Sequence, residues 1–319
     1  MGQIDIFNGD ADGICALTQL RNAKPSKSTL ITGVKRDIAL VAKAEVAAGD
    51  HITVLDISFD KNREGVLRAL EAGAELFYVD HHFAGEIPES SALTTIIDTD
   101  PDVCTSLLVN GHLRGRYAEW AVTGAFGDNL EASARAIAEP LGLSEEQRRL
   151  LEKLGTYMNY NAYGASLEDL HFAPAELFAL VCPHPTPFAF VAEAPETFEQ
   201  LESGYLQDMA EAAAMKPLRD SGNTAVFILP DEAWARRVSG VFSNDLASAS
   251  PRRAHAVLTE RPDGTYLVSV RAPLANKRGA DALCRKFPSG GGRAAAAGIN
   301  ALPADRLDAF IDAFTEAYA

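Results

Sequence analysis

Two aspartates one residue apart, Asp10 and Asp12 in IDIFNGDADGICALTQL, are the first residues of this chain whose spacing suggests chemistry. Carboxylates so close repel each other unless a proton, a cation or a strong donor lies between them. Further acids follow at Asp56 in ITVLDIS, at Asp80 ahead of His81 and His82 in ELFYVDHH, and at Asp128 in GAFGDN. Hard oxygen donors mixed with one or two imidazoles suit manganese, magnesium or a related divalent ion, and shared carboxylates suit a pair of such ions. Paired dications are an expected device for in-line displacement at phosphorus. Taken singly, each aspartate could instead cap a helix or a turn, but four separate acidic sites together with the His pair weigh against that reading.

Such residues need elements to position them. The apolar stretch Ile4 to Phe7 reads as a buried strand, and Gly13 followed by Ile14, Cys15, Ala16, Leu17 and Leu20 reads as a helix start. Asp10 and Asp12 then fall at a strand's carboxyl end, where open α/β sheets place their sites. Up to Thr99, strand-like runs (Ile4 to Phe7, Thr29 to Thr32, Ile52 to Ile57, Glu75 to Val79, Thr94 to Ile97) alternate with helix-like ones. Val103 to Met215 reads as mostly helical, punctuated by Pro140, Pro174, Pro183, Pro185 and Pro187, with a capped helix start at Ser144-Glu145-Glu146-Gln147. Strands return as TAVFIL, AHAVLTE and TYLVSV, the last two joined as a hairpin across Arg261-Pro262-Asp263-Gly264. The expected fold is α/β: a parallel, doubly wound sheet domain with a helical extension over residues 1–220, and a smaller C-terminal α/β domain over 221–319.

Composition narrows the partners. With 319 residues, 47% of them hydrophobic, the chain can bury two cores. No apolar run approaches membrane-spanning length and the amino end has no basic leader, which points to a cytoplasmic protein. Cys15, Cys104, Cys182 and Cys284 are scattered, as expected of reduced thiols; Cys182 and His184 could share a metal, but a Pro-rich turn is the favoured reading of VCPHPTP. The net charge of -15 and the lack of a basic run disfavour tracking along long nucleic acid and leave short or small phosphorylated partners. Arg271, Lys277, Arg278, Arg285, Lys286 and Arg293 could still make a confined anion pocket, or serve solubility alone.

The order DxD, then D after an apolar run, then DHH, then GxxxDN resembles the DHH phosphoesterase family, and SGGGRAAAAG is similar to the GGGHxxAAG element of that family's associated C-terminal domain. The resemblance spans most of the chain. It implies one metal held by Asp12, Asp56, His81 and Asp128, and a second held by Asp10, the shared Asp56 and position 8. Here position 8 is Asn8, a weaker neutral donor than the family's histidine. His82 would face the substrate as donor or proton carrier, with Asp80 orienting a histidine, and Asn129 would brace the loop after Asp128. Gly290, Gly291 and Gly292 would bring backbone amides to an anion, with the Ala run starting a helix; the alternative is a small-residue helix packed on a sheet. Arg293 replaces the family's histidine, Arg271 matches an arginine used on a far phosphate, and Ser289 would edge the pocket. Phe83 could stack on a base, although a core aromatic is the favoured expectation.

The sequence therefore leads to a hydrolase of short phosphodiesters, either oligonucleotides of a few residues or linear or cyclic dinucleotides, acting through two Mn2+ ions, with Mg2+ or Co2+ as substitutes, in a cleft between the domains. The alternatives are an exopolyphosphatase or small phosphate-ester hydrolase, and a nucleotide-binding protein weakened at Asn8 and Arg293. No long duplex and no membrane is expected as partner, and the residues leave monomer or homodimer open.

Overall fold

A computed structural model describes all residues from Met1 to Ala319. Contacts group the chain into two compact units, Met1–Tyr205 and Leu206–Ala319. The division falls inside a helix, whereas the composition break near residue 220 lies beyond that helix.

The first unit holds a parallel sheet of β1 (Gln3–Phe7), β2 (Thr29–Ile31), β3 (His51–Leu55), β4 (Glu75–Asp80) and β5 (Leu93–Ile97), in the order β2-β1-β3-β4-β5. Alternation along the strands sorts their side chains to two faces. Phe7, Leu55 and Val79 pack with α1 (Ala11–Ala23), while Ile6, Val54 and Tyr78 pack with α2 (Phe59–Glu71). Both faces are thus buried, which is why these strands read as continuous apolar runs. Asp5 is the exception inside β1. It is fully buried and paired with Arg21, with Ser28 Oγ donating to it at 2.6 Å.

The rest of the unit is helical, as expected: α3 (Thr105–His112), α4 (Ala118–Gly127), α5 (Glu131–Ala138), α6 (Glu145–Asn161), α7 (Pro174–Val181), α8 (Pro187–Glu193) and α9 (Pro195–Ala214). Ser144 and Gln147 close a capping box at the start of α6. Cys182 and His184 lie on the turn after α7, where the His184 amide donates to Val181 O, and all four cysteines are free thiols. No helix is long and apolar enough to cross a membrane.

The second unit adds β6 (Arg219–Asp220), β7 (Thr224–Leu229), β8 (Ala254–Glu260), β9 (Thr265–Arg271), β10 (Gly290–Gly292) and β11 (Ala296–Pro303), ordered β10-β11-β9-β8-β7-β6. Only β7 and β8 run parallel, through the crossover helix α10 (Ala233–Ala249). The other face of the sheet packs on α11 (Ala280–Cys284) and α12 (Leu307–Ala317). Here the glycine-rich segment departs from expectation. SGGGRAAAAG forms a hairpin of β10 and β11, not a helix start. Arg293 and Ala296 exchange backbone hydrogen bonds around Ala294 and Ala295, and from Ala296 onward the chain pairs with β9. Alanine's helix preference is worth only tenths of a kcal/mol per residue and gives way to burial of Ala297 and Ile299 in the sheet.

Candidate metal centre

The carboxyl ends of β1, β3 and β4 converge where the strand order reverses between β1 and β3, the usual site position in such sheets. After β1 the chain turns through Asn8 and Gly9, and Asp10 becomes the N-cap of α1, its Oδ1 accepting the amides of Asp12 at 3.1 Å and Gly13 at 3.2 Å. The helix therefore begins at Ala11, ahead of the expected Gly13, and Asp12 lies in its first turn. Gly13 is required by close approach, since a Cβ there would lie 2.2 Å from Asn8 O. Asp12 is gripped from across the fold: the amides of Thr105 and Ser106, at the start of α3, each donate to one of its oxygens at 2.7 Å.

Asp56 follows β3 with φ +60°, a left-handed conformation that only Gly, Asn and Asp adopt readily. Its amide donates to Val79 O, and Thr105 Oγ1 donates to its Oδ1 at 3.2 Å. Asp128 caps the carboxyl end of α4, within the stretch expected to be helical. His81 donates Nδ1–H to Val103 O at 2.9 Å, because a carbonyl can only accept; Nε2 therefore presents its lone pair, 3.4 Å from Asp56 Oδ1 and 3.7 Å from Asp128 Oδ2. His82 Nδ1 lies 2.7 Å from Asp80 Oδ1, with Asp80 fully buried and its Oδ2 otherwise unpartnered.

Donor atoms of Asp12, His81 and Asp128 lie within 4.8 Å of one another, as do those of Asp56, His81 and His82. His81 has one lone pair to give, so the two sets are alternatives, and the commitment of His82 Nδ1 to Asp80 favours the first set joined by Asp56. The charges call for a cation. Burial and then the neighbouring Asp10, Asp12 and Asp128 push the Asp56 carboxyl well above its ordinary range. Burial, Asp12 and Asp10 push Asp128 up to about 6. The donor set of three carboxylates and one imidazole thus fits a hard divalent ion.

One cation is already built in, and the sequence reading missed it. Lys35 Nζ lies 2.5 Å from Asp10 Oδ2, 2.8 Å from Asn159 Oδ1 and 3.8 Å from Asp128 Oδ1. Burial pushes Asp10 up, but the Lys35 charge and hydrogen bond carry it below the ordinary carboxylate range. The only signal in the sequence was a lysine just beyond a strand end in an acidic chain. Thr105, Ser106 and Asn159 were missed as well.

Other expected residues divide. Phe83 is 71% exposed directly after the His pair, not in the core. In the second unit, Arg271 Nε donates to Asn244 Oδ1 at 2.7 Å and Nη1 to Ser269 Oγ at 2.9 Å. Burial and the nearby Arg293 depress the Arg271 pKa, and Arg271 pairs in register with Ala296, which closes the turn at Arg293, so both arginines lie at one end of the sheet. Ser289 is committed locally, its Oγ accepting from Ala301 N. Gly290 is a packing residue, since a Cβ would lie 1.9 Å from Cys284 O; Gly291 has open space beside it, and Gly292 sits at φ +138°. A cavity of about 400 Å³ opens near Gln3, His51 and Glu75, at the opposite, amino end of the strands and away from the carboxylates.

No family model and no curated protein matches this chain. Solved structures do. One described as exonuclease RecJ bound to manganese aligns with a TM-score of 0.64 at 18% identity, covering 98% of this chain and 88% of that one. The alignment shows a shared fold. RecJ of Thermus thermophilus in complex with Mn2+ aligns at 0.63 with 19% identity over 98% of this chain, which spans about half (51%) of that longer protein. PggH of Vibrio, described as a pGpG-specific phosphodiesterase, aligns at 0.56 with 14% identity over 99% of each chain. The likeness extends over both the parallel α/β sheet and the second, mixed sheet.

Proposed function

We propose that this chain is a divalent-metal-dependent phosphoesterase acting on short phosphodiesters, with a linear dinucleotide as the favoured substrate. The observation that carries the reading is the convergence of Asp12, Asp56, His81 and Asp128 beside the Asp80–His82 pair. The similarity in fold to manganese-bound RecJ and to a pGpG-specific phosphodiesterase supports it, and the net charge of -15 favours a small substrate over a long one.

In this reading Asp12, Asp56, His81 and Asp128 hold manganese, which magnesium or cobalt can replace. The bound ion supplies Lewis acidity that lowers the pKa of water and offsets charge on the phosphoryl oxygens. The chain's own groups do the rest. Val103 O fixes the ring of His81 so that Nε2 faces the carboxylates. The Asp80 hydrogen bond raises the His82 pKa and keeps the imidazole protonated to higher pH, which suits a proton donor to the departing oxygen through Nε2–H. Arg271 and Arg293 provide charge for a second phosphate of the substrate.

A manganese-supplemented screen of linear and cyclic dinucleotides, pyrophosphate and polyphosphate tests the reading. Release of mononucleotides from a linear dinucleotide is expected. Release of phosphate from polyphosphate alone would shift the assignment to exopolyphosphatase. Tight nucleotide binding without product would make the chain a binding protein.

A further inference from the structure

Asp10 is the one carboxylate of the cluster that no metal-ligating group includes, and its oxygens explain why. Oδ1 already accepts two backbone amides at the start of α1, and Oδ2 faces the Lys35 ammonium at 2.5 Å. Asn8 is equally committed, its Oδ1 accepting the Asp10 amide at 3.3 Å and its Nδ2 donating to Lys35 O at 3.4 Å. The position of Lys35 is constructed from several elements. Its amide donates to Ala162 O at 2.9 Å, and Nζ donates to Asn159 Oδ1, whose own Nδ2 is turned away by donation to Tyr163 Oη at 3.1 Å. The Tyr163 ring lies 5.8 Å from the ammonium. A dication beside Asp10 would have to displace this group or sit against its charge.

We propose that the centre takes a single divalent ion, held by Asp12, Asp56, His81 and Asp128, and that the Lys35 ammonium occupies the place of a second cation and binds a phosphoryl oxygen of the substrate. The proposal rests on the phosphoesterase reading for its substrate. Of the three N–H donors of Lys35, two are used by Asp10 and Asn159; Asp128 Oδ1, at 3.8 Å, is beyond hydrogen-bond distance, so the third is left for an anion. The Lys35 side chain is 27% exposed, so the residue is not sealed from a ligand. A fixed monovalent charge needs no loading step, so metal dependence should be that of one site.

The test starts without substrate and is therefore independent of the reaction. Manganese binding to the full chain, by equilibrium dialysis with electron paramagnetic resonance, should saturate at about one equivalent with an uncoupled mononuclear signal. The double variant Asn8→His with Lys35→Ala should take up a second, exchange-coupled ion. Two coupled ions in the wild-type protein would overturn the proposal. On a linear dinucleotide, Lys35→Ala should lose about 10²- to 10³-fold in kcat, the usual cost of a lost charge donor at a reacting oxygen, with its manganese affinity for the remaining site retained. Lys35→Gln, which keeps most of the side chain's bulk, guards against a simple packing defect and should lose as much. Unchanged turnover in both variants would show that Lys35 only neutralises Asp10. Absence of turnover in every form, wild type included, would count against the phosphoesterase reading and against substrate binding by Lys35, while the stoichiometry would still decide the single-ion claim.

Discussion

The carboxylate centre of the first unit and the arginine patch of the second are built in different ways. Asp10, Asp12 and Asp56 are each at most 2% exposed, and each is tied to a second segment: Asp10 to Lys35, Asp12 to α3, Asp56 to Thr105. Arg271 is half-buried and held by Asn244 and Ser269, but Arg293 lies exposed at the tip of a tight hairpin. Fixed charge is expensive to bury and is retained only where the surroundings repay it. An exposed cation on a turn costs little and adds correspondingly little. The first unit is therefore where substitutions should abolish function, and the second where they should tune it.

The largest effect is expected at Asp56. Asparagine tolerates the same left-handed backbone, so Asp56→Asn should fold normally yet lose on the order of 10³-fold in kcat/KM and much of its manganese affinity, since one ligating carboxylate charge is gone. Near-normal turnover of that variant at saturating manganese would break the contrast at its centre. Next comes the His82 pair. His82→Ala should cost about 10²-fold in kcat, and Asp80→Asn about 10- to 100-fold. The acting form is the imidazolium, so rate is present below the raised His82 pKa and lost as pH rises through it. Removing the Asp80 charge should move that alkaline limb to lower pH. A limb that stays in place would assign the proton to another group.

Smaller still is the effect of Arg293→Ala, expected to raise KM by up to about tenfold, or about 1.4 kcal/mol, with metal content unchanged. Arg293→Lys should restore part of it, because a point charge cannot reproduce a two-pronged contact. Early melting with an unchanged KM would instead make the hairpin a packing element. The smallest effect concerns stability alone. His255 in β8 is buried, its Nδ1 has no partner, and burial and Arg253 depress its pKa to about 4. Between pH 6.5 and 4 the unfolded chain binds a proton there that the folded chain refuses, so stability falls as pH drops through that window. Denaturant midpoints of wild type and His255→Gln should diverge across it, the variant losing less.

Much of the first unit was legible because strands buried on both faces appear as plain apolar runs, and the acids that end β1, β3 and β4 stand out against them. Asp128 stood out as a candidate ligand but not as a helix cap, since GAFGD carries no strand or helix period of its own. Lys35 was invisible for a different reason: its partners Asp10 and Asn159 lie 25 and 124 residues away, and nothing local marks the meeting. SGGGRAAAAG misled because four alanines suggest a helix, whereas pairing with β9 decided the outcome. Phe83 was misplaced because residue type predicts burial only on average, and here the chain leaves β4 for the surface.

The grip of α3 on Asp12 makes that helix a reporter of the centre. Each carboxylate oxygen has two lone pairs; the Thr105 and Ser106 amides take one from each, leaving the others for an ion. Any opening that frees those amides must also break up the binding site, so an ion bound to the closed form raises the free energy of opening by its own binding free energy. Hydrogen exchange at Thr105 and Ser106, 93 and 94 residues along the chain from Asp12, should slow on adding manganese and recover on chelation, giving a measure of occupancy that needs neither substrate nor turnover.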